Sequence, residues 1–129
     1  MASSSNFSLI QKTKGELPRL PFARMKDAVL GKEYDLSLAF IDNAESRRIN
    51  ITYRKKDYIP NVLSFELDDI AGEIFINPLE ASKQAKDFGR TPSNFIAFLY
   101  IHALCHLKGM AHGSRMESTE AKFRKEFKV

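Results

Sequence analysis

The chain has 129 residues, with 20 Lys and Arg against 16 Asp and Glu for a formal net charge of +4, which describes one modestly basic domain over residues 1–129 and excludes a multi-domain reading. Hydrophobic residues at 43% and charged residues at 28% exclude the disordered, collagen-like and low-complexity classes. Cys105 is the single cysteine, so no intrachain disulfide can form and the disulfide-stapled secreted class is excluded as well.

The first residues, Met1 to Phe7, carry neither a basic n-region nor an apolar h-region, and a cytoplasmic location is expected. Asn6 to Lys12 reads as a first strand around Phe7 and Leu9. Pro21, with Phe22, Met25 and Val29 behind it and Gly31 at the far end, predicts a short helix with proline at its first position. Leu36, Leu38 and Phe40 alternate with Ser37, Ala39 and Ile41, the period of a strand. Asp42 or Asn43 can cap a helix from Ala44 to about Tyr53, with Arg47 and Arg48 outward and Ile49 and Tyr53 on its inner face.

Asn61 to Leu67 and Gly72 to Asn77 read as antiparallel neighbours joined by a turn at Asp68–Gly72. Asn77-Pro78-Leu79-Glu80 supplies a cap, a first-turn proline and a capping-box glutamate for a helix that ends before Gly89. Thr91-Pro92 opens another, apolar nearly all round through about Gly109, as expected of a buried element. Its uncharged stretch from Asn94 to Leu107 is shorter than the ~20 residues of a membrane span, so no membrane association is expected. Ser114 to Glu117 forms a second capping box, and Met116, Phe123 and Phe127 give the last helix its inner stripe. The fold class is α+β: a single domain with a small mixed sheet of about four strands covered by helices, one of them a buried histidine-bearing helix.

All three histidines fall within eleven residues, as His102-x-x-x-His106-x-x-Gly109-x-x-His112. On a helix His102 and His106 lie about 40° apart on one face, where two imidazoles reach one ion. Gly109 lets the chain leave the helix in a left-handed conformation and bring His112 back as a third ligand. Three neutral nitrogens with one position open is the pattern of a catalytic zinc. The stretch holding the helical pair contains no Asp, Glu, Lys or Arg, so buried imidazoles there have no charged local partner, a difficulty that coordination resolves. The same spacing occurs in zinc proteases, but their general-base glutamate is Ala103 here. A dication held by neutral ligands keeps its charge and suits a phosphate oxygen. Cys105 lies ~60° around the helix from His102 and reads as a small buried apolar residue rather than a ligand.

These residues resemble the YbeY family of metal-dependent, single-strand-specific endoribonucleases of ribosomal RNA maturation. The family's His-Gly-x-Leu-His-Leu-x-Gly-Tyr-Asp-His stretch corresponds to His102 through His112, and its upstream segment to Asn50-Ile-Thr-Tyr53-Arg54-Lys55-Lys56-Asp57 and Pro60-Asn61-Val62-Leu63-Ser64-Phe65. The resemblance covers about Asp35 to Phe127. Ala103, Cys105, Met110 and Ala111 depart from it, and Ala111 removes a carboxylate beside the third histidine. It implies one Zn2+ per chain on His102, His106 and His112, and aligns Arg54 with the family's functional arginine, suited to stabilising charge on a reacting phosphate.

Arg47, Arg48, Lys55 and Lys56 flank Arg54 and are candidates for tracking an RNA backbone. Ser64 reads as a bystander rather than a nucleophile, because no activating base is identifiable. The expected function is a zinc-dependent endoribonuclease cleaving single-stranded RNA in rRNA processing, ribosome biogenesis and ribosome quality control, with rRNA and ribosomal proteins as partners and no DNA. The alternatives are a ribosome-associated RNA-binding factor whose metal is structural, and a metalloprotease-like hydrolase of other substrates.

Overall fold

The computed structural model describes residues 6–109 and 113–129. In chain order the elements are β1 (Phe7–Gln11), α1 (Phe22–Leu30), β2 (Asp35–Phe40), α2 (Asn43–Ile49), a π-helical turn (Asn50–Arg54), β3 (Val62–Asp68), β4 (Ala71–Ile76), α3 (Pro78–Gln84), a 3₁₀ turn (Ala85–Phe88), α4 (Pro92–Leu107) and α5 (Ser114–Phe127). The sheet order is β1-β2-β4-β3, with β1, β2 and β4 parallel and β3 antiparallel to β4. This is the α+β architecture with a small mixed sheet that the strand and helix periods predict.

Strand alternation divides the apolar residues between two faces. Leu36, Leu38 and Phe40 of β2 join Ile74 and Ile76 of β4 in a core shared with α1, α4 and α5, while Ala39, Ile41 and Leu63 meet Ile49 of α2 in a smaller cluster. Ten residues of α4 are buried, which is why its sequence carries no polar stripe. It starts where Thr91 Oγ1 accepts the Asn94 N–H at 3.1 Å, with Pro92 behind it in the first turn. Gly109, at φ 89°, makes the left-handed exit expected after it. The helix lies against β3 and β4, and Leu107 packs so close to the sheet that a Cβ on Gly72 would collide with it and with Tyr34.

Several local expectations are corrected. Pro21 sits one position before α1 rather than inside it. The helix from residue 44 does not stay α-helical to Tyr53: it widens into the π turn after Ile49, which rotates the following residues. Ile49 is 4% exposed as expected, but Tyr53 is thrown outward to 67% and meets Phe65 edge to face, at 5.8 Å between ring centroids.

The capping box at Asn77 is half made. Asn77 Oδ1 accepts the Glu80 N–H at 3.2 Å, yet the Asn77 N–H is used by Asn61 O, and the Glu80 carboxylate takes the Gln84 amide instead. The box at Ser114 does not form, because Ser114 is already helical and Gly113 holds the cap position with no side-chain bond. The helix α4 is buried but its histidines are not: His102 and His106 are half-buried on its open side.

Candidate active site

Arg54 reaches the site because of the π turn. Asn50, fully buried at the start of that turn, accepts Arg54 Nη1 on Oδ1 at 3.0 Å and donates through Nδ2 to Tyr58 O at 3.2 Å. The Tyr58 hydroxyl accepts the same Nη1 at 3.1 Å. Lys55 closes the turn in the left-handed conformation, and the buried Ser46 hydroxyl donates to Pro60 O at 2.9 Å, tying the loop that follows to α2. The guanidinium is therefore held from two sides while its remaining donors stay available.

Arg54 lines one cleft of about 320 Å³ together with Val62, Leu63 and Ser64 of β3 and His102, Ala103 and His106 of α4. The structure thus brings Arg54 and the two helical histidines together from segments far apart in sequence. The rings of His102 and His106 stand edge to face with centroids 4.7 Å apart, the proximity that one helical turn provides. His112, together with Met110 and Ala111, lies outside the described residues. Among the described residues no third His, Cys, Asp or Glu completes a metal-binding group with this pair. Cys105 turns inward, is fully buried in the main core, and burial together with the nearby Glu120 charge pushes its thiol up to about 11. It is a packing residue.

A residue that sequence reasoning missed is Glu120. It projects from α5 with its side chain 9% exposed, and His102 Nδ1 lies 2.8 Å from its Oε2. A carboxylate only accepts, so Nδ1 carries the hydrogen of this contact, the arrangement that in a neutral imidazole puts the lone pair on Nε2. That outer-shell carboxylate is the usual support of a metal-ligating histidine, and the donor set fits a divalent metal such as zinc on this ground. Its sequence signal was position: Glu120 falls four residues after Met116 and three before Phe123, inside the stripe that α5 buries. The helical histidines have no charged partner within their own stretch, as expected, and His102 obtains one from another helix.

The flanking basic residues do not converge on the cleft. Arg47 is bound in a bidentate pair to Asp57 at 2.8 and 3.0 Å, and Arg48 to Glu45 at 3.3 and 2.8 Å. The Arg48 hydrogen bond and charge hold the Glu45 carboxyl below its ordinary value. Lys55 Nζ donates to Thr52 O at 3.1 Å, and Lys56 is exposed. Exposed pairs of this kind contribute little to stability, but they neutralise much of the basic segment.

A family model described as Endoribonuclease YbeY matches residues 12–128. Endoribonuclease YbeY of Alkaliphilus metalliredigens (strain QYMF) is 35% identical over 105 residues, covering 73% of this chain and 68% of the relative. The protein of the same name from Thiobacillus denitrificans is 31% identical over 125 residues, covering 88% and 85%. The solution structure of TM1509 from Thermotoga maritima shares the fold, with a TM-score of 0.68 over 94% of this chain and 88% of that one at 23% identity. With a matching model over nearly its whole length and relatives above 30% identity across most of theirs, the chain belongs to the endoribonuclease YbeY family.

Proposed function

We propose that this protein is a metal-dependent endoribonuclease that cleaves single-stranded RNA in ribosomal RNA maturation, as one domain over residues 1–129. The observation that carries the reading is the convergence of Arg54, His102 and His106 on one cleft in a member of the YbeY family. His102, His106 and His112 would hold one Zn2+, which when bound supplies a Lewis acid for a phosphoryl oxygen. Glu120 orients the His102 ring, and Ala103 keeps that wall of the cleft apolar and without a general base. Arg54, steadied by Asn50 and Tyr58, donates to the phosphate oxygens as their charge grows toward the transition state. A role in ribosome quality control, ribosomal protein partners and a cytoplasmic site of action belong to the same proposal.

The test is metal analysis and RNA cleavage on the same preparations. Wild type is expected to carry about one zinc per chain and to cut single-stranded RNA, His106→Ala to lose both, and chelation to stop cleavage while the circular dichroism spectrum persists. Equal metal content in wild type and His106→Ala, or cleavage that survives chelation, refutes the reading.

A further inference from the structure

A second, wider cleft adjoins the first. Its walls include Phe98, Leu99, Glu120 and Arg124, and it shares Val62 and His102 with the cleft that holds Arg54. Phe98, a wall of this cleft, carries two arginines from different elements, of which Arg124 lines the cleft and Arg90 reaches it through the ring. Arg90, just ahead of α4, lies with its guanidinium carbon 4.4 Å from the ring centroid, and Arg124 of α5 lies at 5.3 Å. Stacking on an aromatic ring holds a guanidinium plane in place while its edge donors remain free for an anion.

The two arginines are compensated unequally. Arg124 meets Glu120 Oε1 at 3.5 Å, but the other oxygen of that carboxylate is engaged by His102. Arg90 bonds to the neutral Asn94 amide, and among the described residues no carboxylate pairs with it. Burial and the repulsion of Arg124 both lower the Arg90 pKa from its ordinary value, as expected of two cations sharing one site. Glu117 stands exposed at the cleft wall. Arg47 and Arg48, which sequence reasoning favoured, each have a carboxylate of their own, whereas Arg90 has none among the described residues and adds to the positive charge that Arg54 brings to the histidines.

We propose that Arg90 and Arg124, braced on Phe98, form a subsite for a phosphodiester of the RNA strand next to the one being cut. The inference rests on the endoribonuclease reading, since it is the continuity of the two clefts at His102 and Val62 that makes the occupant the same strand. A single strand lying in the narrow cleft runs on into the wide one, where a phosphate accepts from both guanidiniums. The site reads backbone charge and leaves base identity unread.

The experiment measures binding of a short single-stranded RNA by fluorescence anisotropy across a salt series, with cleavage kinetics and melting temperature on the same samples, for wild type, Arg90→Gln and Arg124→Gln. Each substitution is expected to weaken binding roughly tenfold and to lower the slope of log K against log salt by about 0.7, the value for one lost phosphate contact on a single strand. For Arg90→Gln, which touches neither Glu120 nor the histidines, KM rises and kcat holds. Arg124→Lys, which keeps the charge opposite Glu120, should recover part of the loss and guards against a misfolded Gln variant.

Packing of the arginines on Phe98 for stability alone would lower the melting temperature and leave the salt slope untouched, and that result overturns the subsite. So does loss of poly-glutamate binding with RNA binding retained, which marks a site for acidic peptides. Wild type that cleaves RNA alongside Gln variants with unchanged KM removes the subsite and leaves the endoribonuclease reading standing. Wild type that neither binds nor cuts RNA removes both.

Discussion

Glu120 offers the sharpest test of how the site is built, because its effect on metal affinity can be worked from contacts within the protein. The bond between His102 Nδ1 and Glu120 Oε2 is 2.8 Å long, and the carboxylate is only 9% exposed, so water screens the pair weakly. Removing such an outer-shell partner costs about 10- to 100-fold in metal affinity, or about 1.4–2.7 kcal/mol. Arg124 lies 3.5 Å from the other oxygen and shares the same negative charge. Glu120→Gln keeps an acceptor for Nδ1–H and loses the charge, so a loss of about tenfold is expected. Glu120→Ala removes both and should approach 100-fold.

The assay is zinc competition against a chromophoric chelator at fixed pH, paired with nitrogen NMR of the histidine rings in metal-free protein. Wild-type His102 should show the Nδ1–H tautomer, and Glu120→Ala a mixture. Folding is not the confounder, because His102 is 29% exposed and its freed Nδ1–H can turn to water. A folded Glu120→Ala protein that binds zinc within twofold of wild type, or a His102 tautomer that does not respond, would refute the reasoning.

Arg54→Ala should keep its metal and its melting temperature and lose about 10²-fold or more in single-turnover cleavage, with Arg54→Lys recovering only part; a variant as fast as wild type removes Arg54 from the chemistry. Since an imidazole must be neutral to coordinate, zinc occupancy should fall as pH drops below about 6.5, and occupancy unchanged at pH 4 by elemental analysis would exclude a histidine site. Tyr100 donates its fully buried hydroxyl to Phe22 O at 2.8 Å, so Tyr100→Phe should cost about 0.5–1.5 kcal/mol in chemical denaturation by removing that bond. Burial raises the Tyr100 phenol well above its ordinary value of 10.0, so folding favours the protonated form. The associated stability is fully present below about pH 10 and is lost as pH rises from there toward the folded value, which makes alkaline unfolding shallower in Tyr100→Phe than in wild type.

What the chain says locally, it says clearly. The period of β2, the Thr91-Pro92 start of α4 and the His102, His106 spacing all depend on residues a few positions apart, where backbone geometry alone relates side chains to one another. The family motif was legible for the same reason, as two short contiguous stretches. Tertiary structure decided the rest. Lys26 is fully buried, with Nζ donating to Asp27 Oδ1 and to the carbonyls of Gly31 and Lys32 at 3.0, 3.1 and 3.2 Å.

The π turn at Asn50–Arg54, which carries Arg54 to the histidines, follows from the buried anchoring of Asn50 to Tyr58, and no propensity in that segment announces it. Arg47 and Arg48 keep the same charge in sequence and in space, but only the fold says which carboxylates cancel them. Glu120 and Arg124 reach His102 and Phe98 from a helix eighteen or more residues on, and Arg90 and Arg124 come near each other because both pack on Phe98. Local pattern determines which residues can act, because one turn of helix or one step of strand is fixed by the backbone; which of them meet depends on how separate elements pack, and that is set by burial summed over the whole core.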